Sequence, residues 1–179
     1  MNERPRFPGQ DLGALQRMAW IRFAGVSAGI PAELTSRLLA QTGLTQYEYL
    51  VFNHLNLSEG RAMPMSRLAL LLASSLSRLS HVVSRLENAG TVTRSRSADD
   101  RRVQIVTLTD DGQAAFRAAA PFYFAAVGEL FFERLDDDDL ADLDRVMTKL
   151  LPGIDAGGIL APLADRIAAD AVAPMTPKP

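Results

Sequence analysis

The chain has no cysteine and only two histidines among its 179 residues. Without cysteine there can be no disulfide, no thiolate zinc site and no thiol redox switch. His54 and His81 have no partner at a metal-ligating spacing, so no metal site is expected. No apolar run approaches the roughly 20 residues needed to span a bilayer. The opening MNERPRFPGQ lacks the apolar core of a signal peptide. The expected location is therefore cytoplasmic, with no membrane partner. A glycine-rich phosphate loop is also missing, since Gly157-Gly158 has no Walker lysine. Asp136 to Asp139 are consecutive acids, but neighbours at a helix start spread around its axis and do not converge on a cation. They suit the positive end of a helix dipole instead. Neither catalysis nor a cofactor is expected.

The composition, 47 % hydrophobic and 22 % charged, is that of a soluble globular domain able to bury a core without staples. The net charge of −2 is unevenly spread. Residues 61–102 carry arginines at 61, 67, 78, 85, 94, 96, 101 and 102 against only Glu87, Asp99 and Asp100. Residues 109–150 are strongly acidic. Phosphate attraction acts over about a Debye length, so the local basic patch outweighs the total.

Spacing predicts mostly helices. Leu12, Leu15, Met18, Ala19 and Phe23 mark an amphipathic helix over about Asp11–Ala28. Pro31 suits the first turn of a second helix that ends near Gln41, before Gly43. Thr45-Gln46-Tyr47-Glu48 is a capping box, with Leu44 and Tyr49 as a hydrophobic staple, and opens a helix to about Leu57. Ser58–Ala62 reads as a turn. Met65–Leu72 is a short helix, Ala73-Ser74 a turn, and Ser75 the N-cap of a helix closed by Gly90. Thr91–Ser95 and Val103–Leu108 alternate and pair as a hairpin. Thr109 caps a long helix to about Arg134, with Pro121 as an interior break or kink. Asp136–Asp139 opens a last helix. Beyond Pro152 the chain turns rich in alanine and proline, with Ile159–Val172 able to form one more helix.

Helix, turn, helix and hairpin in succession describe a DNA reader: one helix enters the major groove and an arginine-tipped wing reaches the minor groove. In the second helix Leu79, Val82, Val83 and Leu86 form the buried stripe. Ser75 and the free N–H groups beside it can hold a phosphate. Arg78 is the candidate base reader, because its fork matches guanine O6 and N7. Ser77, Ser80 and His81 share that face. Ser84 and Arg85 lie further along and suit phosphate, with an ion pair as the equal alternative for Arg85. In the wing, Arg102 is the candidate minor-groove arginine, with Asp100 bracing its guanidinium. Arg94, Arg96 and Arg101 would add phosphate contacts. Arg61 and Arg67 suit phosphate or plain solvation.

Met65-Ser66-Arg67-Leu68-Ala69, Ser75 to Glu87 (SLSRLSHVVSRLE), and Asp100-Arg101-Arg102 followed by Leu108-Thr109 resemble the multiple-antibiotic-resistance regulator (MarR) family. The resemblance covers about residues 11–151. It implies a mainly α fold with a small β-wing: a winged helix-turn-helix lobe at 58–112, and N- and C-terminal helices at 11–57 and 113–151 largely forming a dimerisation region. Residues 1–151 would be one domain and 152–179 a tail. It further implies a homodimer on a palindromic double-stranded DNA operator. The expected role is repression of transcription, relieved by a small aromatic or anionic effector. The family's pocket would here be lined by Trp20, Phe23, Tyr47, Phe52, His54 and Phe116, although aromatics at such spacing also make ordinary core. One departure is Ala73, where the family often has glycine. A residue with a Cβ must either avoid positive φ there or accept strain. The alternative reading is a winged-helix dimer that docks proteins without recognising an operator. Such a face would favour apolar anchors, whereas this one is serine, arginine and histidine.

Overall fold

The computed structural model describes residues 12–155 and Gly158. The opening MNERPRFPGQ and the possible helix at Ile159–Val172 lie outside the described residues.

The first helix, α1, spans Ala14–Thr42 without interruption, with Pro31 inside it. Two helices parted near Pro31 were expected, and the structure corrects this. Proline's fixed φ is already helical, and the missing N–H costs one ladder bond rather than the whole helix. The other helices are α2 (Gln46–Asn56), α3 (Met65–Leu71), α4 (Leu76–Asn88), α5 (Asp110–Leu130) and α6 (Asp137–Leu150). α5 likewise continues through Pro121, but stops at Leu130, and Phe132–Arg134 form a separate 3-10 turn.

Three antiparallel strands form one sheet in the order β1 (Ala62–Pro64), β3 (Gln104–Leu108), β2 (Val92–Arg96). β2 and β3 are the expected hairpin, in register Val92 with Leu108 and Arg96 with Gln104. β1 was not foreseen. It pairs Ala62 with Thr107 and places Pro64 at an edge, where a missing donor is tolerated.

The caps follow the chemistry of their residues. Thr45 Oγ1 accepts from the Glu48 N–H, and the Glu48 carboxylate accepts from the Thr45 N–H, completing the capping box. Ser75 Oγ accepts from the Arg78 N–H at the start of α4. Thr109 Oγ1 accepts from Gly112 N–H at the start of α5 and donates to the Gly90 carbonyl.

Two apolar clusters organise the molecule. The larger joins Val51, Phe52 and Leu55 of α2 to Leu68 of α3, Leu79, Val83 and Leu86 of α4, and Val92, Val106 and Leu108 of the sheet. α2 thus packs into the core that the reader's helices and sheet share. The smaller cluster, Leu38, Tyr49 and Ala119, joins α1, α2 and α5. There Tyr49 stacks between Phe116 and Tyr123, with ring centroids 5.2 and 4.2 Å away. Gly112 sets the closeness of α5 to the sheet, because a Cβ on it would lie 2.0 Å from the Thr91 carbonyl oxygen.

Candidate nucleic-acid interface

The reading face is built on α4. Leu79, Val83 and Leu86 are buried, which turns the opposite side outward. Ser77, His81 and Asn88 are exposed along that side, and Ser84 is half-buried among them. Asn88 was missed, although it continues the 77–81–84–88 spacing. An open cleft of about 430 Å³ separates α4 from the wing. Its walls include Ser77 and Ser80 of α4, and Arg102 and Gln104 on the wing side. Arg102 and Ser77 therefore line one surface. Gln104 was also missed, because only pairing with β2 shows where it stands.

Two arginines of α4 lean toward α2. Arg78 and Arg85 are seven residues apart, two turns along one side of the helix. The Arg78 guanidinium carbon sits 4.9 Å from the centroid of the Tyr47 ring. Arg85 donates from Nε to Glu48 Oε1 at 2.9 Å and pairs through Nη2 at 2.8 Å. Glu48 is only 5 % exposed. Its other oxygen accepts from the Thr45 N–H and hydroxyl, both at 2.8 Å. For Arg85 the ion-pair alternative is the one the structure shows.

The wing is tied down by its own side chains. Arg94 donates from Nε to Glu87 Oε2 at 2.8 Å and from Nη2 to Ser84 Oγ at 3.1 Å. Glu87 also accepts from the Arg94 N–H. The Arg94 hydrogen bonds hold the Glu87 carboxyl below its usual range, against the opposing effect of burial. Arg94 and Ser84, expected as phosphate contacts, join β2 to α4 in this structure. Arg96 donates to the Arg101 carbonyl and closes the wing. Asp100 Oδ1 accepts from the backbone N–H of Arg102 at 2.9 Å. It orders the tip through the backbone and not, as expected, by gripping the guanidinium. Arg102 and Arg101 are exposed, as are Arg78 and His81. Arg61 pairs with Asp110 and Gln113, and so ties the turn before β1 to α5.

Ala73 has φ 45°, the left-handed backbone that its side chain disfavours. The helix-turn-helix angle is thus kept at the expense of strain.

Of the six residues expected to line an effector pocket, Tyr47, Phe52 and Phe116 pack in or against the reader's core, while Trp20 and Phe23 lie apart from them on α1. Phe52 is fully buried in the reader's core. Phe116 stacks on Tyr49. Trp20 and Phe23 contact each other, at 6.1 Å between ring centroids, on the exposed half of α1. Tyr47 packs beside the reader, and His54 is half-buried. The reader cleft contains none of the six. Nor does a second cleft of about 460 Å³ between α1 and α5, whose lining includes Arg37, Phe122 and Glu129. Among the described residues no group of His, Cys, Asp and Glu is placed to hold a metal ion. No described helix is long and apolar enough to cross a membrane.

A MarR family transcriptional regulator from Streptomyces coelicolor, whose crystal structure is in complex with DNA, superposes with a TM-score of 0.76. It is 30 % identical over 85 % of this chain and 92 % of its own. AbsC, another MarR family regulator from S. coelicolor, is 33 % identical over 84 % and 98 % of the two chains, with a TM-score of 0.75. The chain belongs to the MarR family of transcriptional regulators. The SarA/Rot transcriptional regulator family model also matches, over residues 33–118. BpsR of Bordetella bronchiseptica, 20 % identical over 74 % of this chain and 98 % of its own (TM-score 0.65), shares the fold. No curated protein sequence matches. As a MarR family member the protein is a DNA-binding regulator and not an enzyme.

Proposed function

We propose that this MarR family protein is a cytoplasmic homodimeric repressor that covers a palindromic operator and is released by a small aromatic or anionic effector. The observation that carries the operator reading is the shared surface of α4 and the wing. Ser77 and Ser80 of α4 stand across one cleft from Arg102, and Arg78 and His81 are exposed on the same helix. Such donors suit base edges and phosphates rather than an apolar protein partner.

The dimer reading rests on apolar surface that the single chain leaves uncovered. On α1, Leu15, Trp20, Ile21 and Val26 are all more than half exposed. Phe124 and Phe132, in and just after α5, are too. α6 buries no residue, although its apolar positions fall on one side. A second copy that covers these helices would place two readers side by side, which matches a palindrome. Effector release is supported at the level of fold by BpsR, whose DNA binding is regulated by 6-hydroxynicotinic acid.

The experiment is fluorescence anisotropy of the purified protein with DNA from upstream of its own gene, scrambled DNA being the control, at two salt concentrations. Preference for the native fragment with a steep salt slope is the expected result. Arg102→Ala is expected to weaken that binding by roughly tenfold or more with an unchanged fold. Equal weak binding to both DNAs would point to protein docking. Sedimentation at several concentrations tests the dimer, and release of bound DNA by aromatic carboxylates tests the effector.

A further inference from the structure

The geometry points to Tyr47, a residue outside the reading helix, as a positioning residue that sets the base preference of Arg78. This rests on the reading of Arg78 as the base-contacting arginine. Arg78 stands on the flank of α4 that faces α2, and its guanidinium carbon lies 4.9 Å from the Tyr47 ring centroid. An arginine at an exposed helix position samples many rotamers, and base readout requires it to settle into one. A ring face beneath the cation limits that sampling. It also leaves the N–H edge of the guanidinium free, and that edge makes the two bonds to a guanine.

Three observations make the contact more than a chance approach. The next residue, Glu48, holds Arg85 on the same side of α4, so neighbouring residues of α2 grip α4 two turns apart. That grip fixes where the Tyr47 ring stands relative to the start of α4. The Tyr47 hydroxyl oxygen is buried and has no hydrogen-bond partner, so its bonding does not explain why the ring sits there. Finally, Ser75 caps α4 through the Arg78 N–H, which fixes the backbone from which Arg78 departs. Backbone and guanidinium are held at once, and only the stem between them is free.

The test is selection from a randomised duplex DNA pool by the full-length protein, with base frequencies read from the bound fraction. Arg78→Ala is expected to flatten the preference at one position of each half-site. Tyr47→Leu, which removes the ring, is expected to reduce the preference at that same position by roughly two- to fivefold, the range of an exposed cation–π contact. Tyr47→Phe keeps the ring and loses only an unpartnered hydroxyl, and so should select the wild-type sequence. Adding Tyr47→Leu to Arg78→Ala should change the preference no further. Circular dichroism checks the fold of each variant, and Tyr47→Met takes the place of the leucine variant if that one does not fold. If Arg78→Ala flattens one position and Tyr47→Leu lowers affinity alike for all sequences, the positioning role is overturned and the base-reader role stands. A Tyr47→Phe variant that loses preference as Tyr47→Leu does would also overturn it, since the hydroxyl would then be the active group. If Arg78→Ala leaves every position unchanged, the base-reader role falls and this inference falls with it.

Discussion

Replacing Glu48 by alanine should be among the more damaging single changes outside the apolar core. The carboxylate is 7 % exposed and takes four hydrogen-bonding contacts, two from Thr45 and two from Arg85. The Thr45 half is a helix cap, worth about 0.5–2 kcal/mol. The Arg85 half is discounted to about 0–1 kcal/mol, because that side chain is 62 % exposed and water readily takes it back. The summed loss is about 0.5–3 kcal/mol, or a fall in Tm of about 1–12 °C for a domain of this size. Arg85→Ala loses only the smaller half and should cost about 1 kcal/mol or less. Glu48→Gln falls between the two, since an amide must set its NH2 against the donors of either Thr45 or Arg85. The assay is urea unfolding at fixed protein concentration, which holds any oligomerisation constant. Equal losses for Glu48→Ala and Arg85→Ala would refute the reasoning. So would a Glu48→Ala loss within about 0.5 kcal/mol of zero, the usual scatter of surface changes.

Ala73→Gly should stabilise the protein by about 0.5–1 kcal/mol, because glycine accepts the φ of 45° without penalty; a lower Tm would show that the turn carries no such strain. Gly112→Ala should destabilise by about 3 kcal/mol or more, since the new Cβ would meet the Thr91 carbonyl at 2.0 Å and Leu108 Cδ1 at 2.6 Å. Thermal melting checks both. Burial lowers the pKa of His54 below 6.5, so the unfolded chain takes up a proton there before the folded one does. That contribution is complete above pH 6.5 and is lost as the pH falls toward the lowered folded value. A His54→Asn variant should therefore show a smaller drop in urea midpoint than the wild type over this window.

What could be read from sequence was local. Thr45 and Glu48 announced their capping box by spacing alone, and the apolar stripe of α4 announced which side faces out. The proline in α1 misled because position does not separate a helix start from a tolerated interior site. β1 has three residues, too few for alternation to register, and exists by pairing with residues more than 40 positions away. Arg94 looked like a free cation, and the ion pair of Arg85 stayed one of two alternatives, because their partners, Glu87 and Glu48, come from other elements. Phe52 looked like pocket lining because an aromatic at helical spacing carries no mark of which face it will take.

The link between β2 and α4 also affects how the duplex is sensed. Arg94 joins Glu87 and Ser84 at the root of the wing, so wing and reading helix share one frame. A reader whose two probes keep a set span acts as a caliper. It registers the distance from one groove to the next, and that distance depends on how readily the intervening base steps twist and compress. Base pairs that no side chain touches would then count toward recognition, through the cost of fitting them between the jaws.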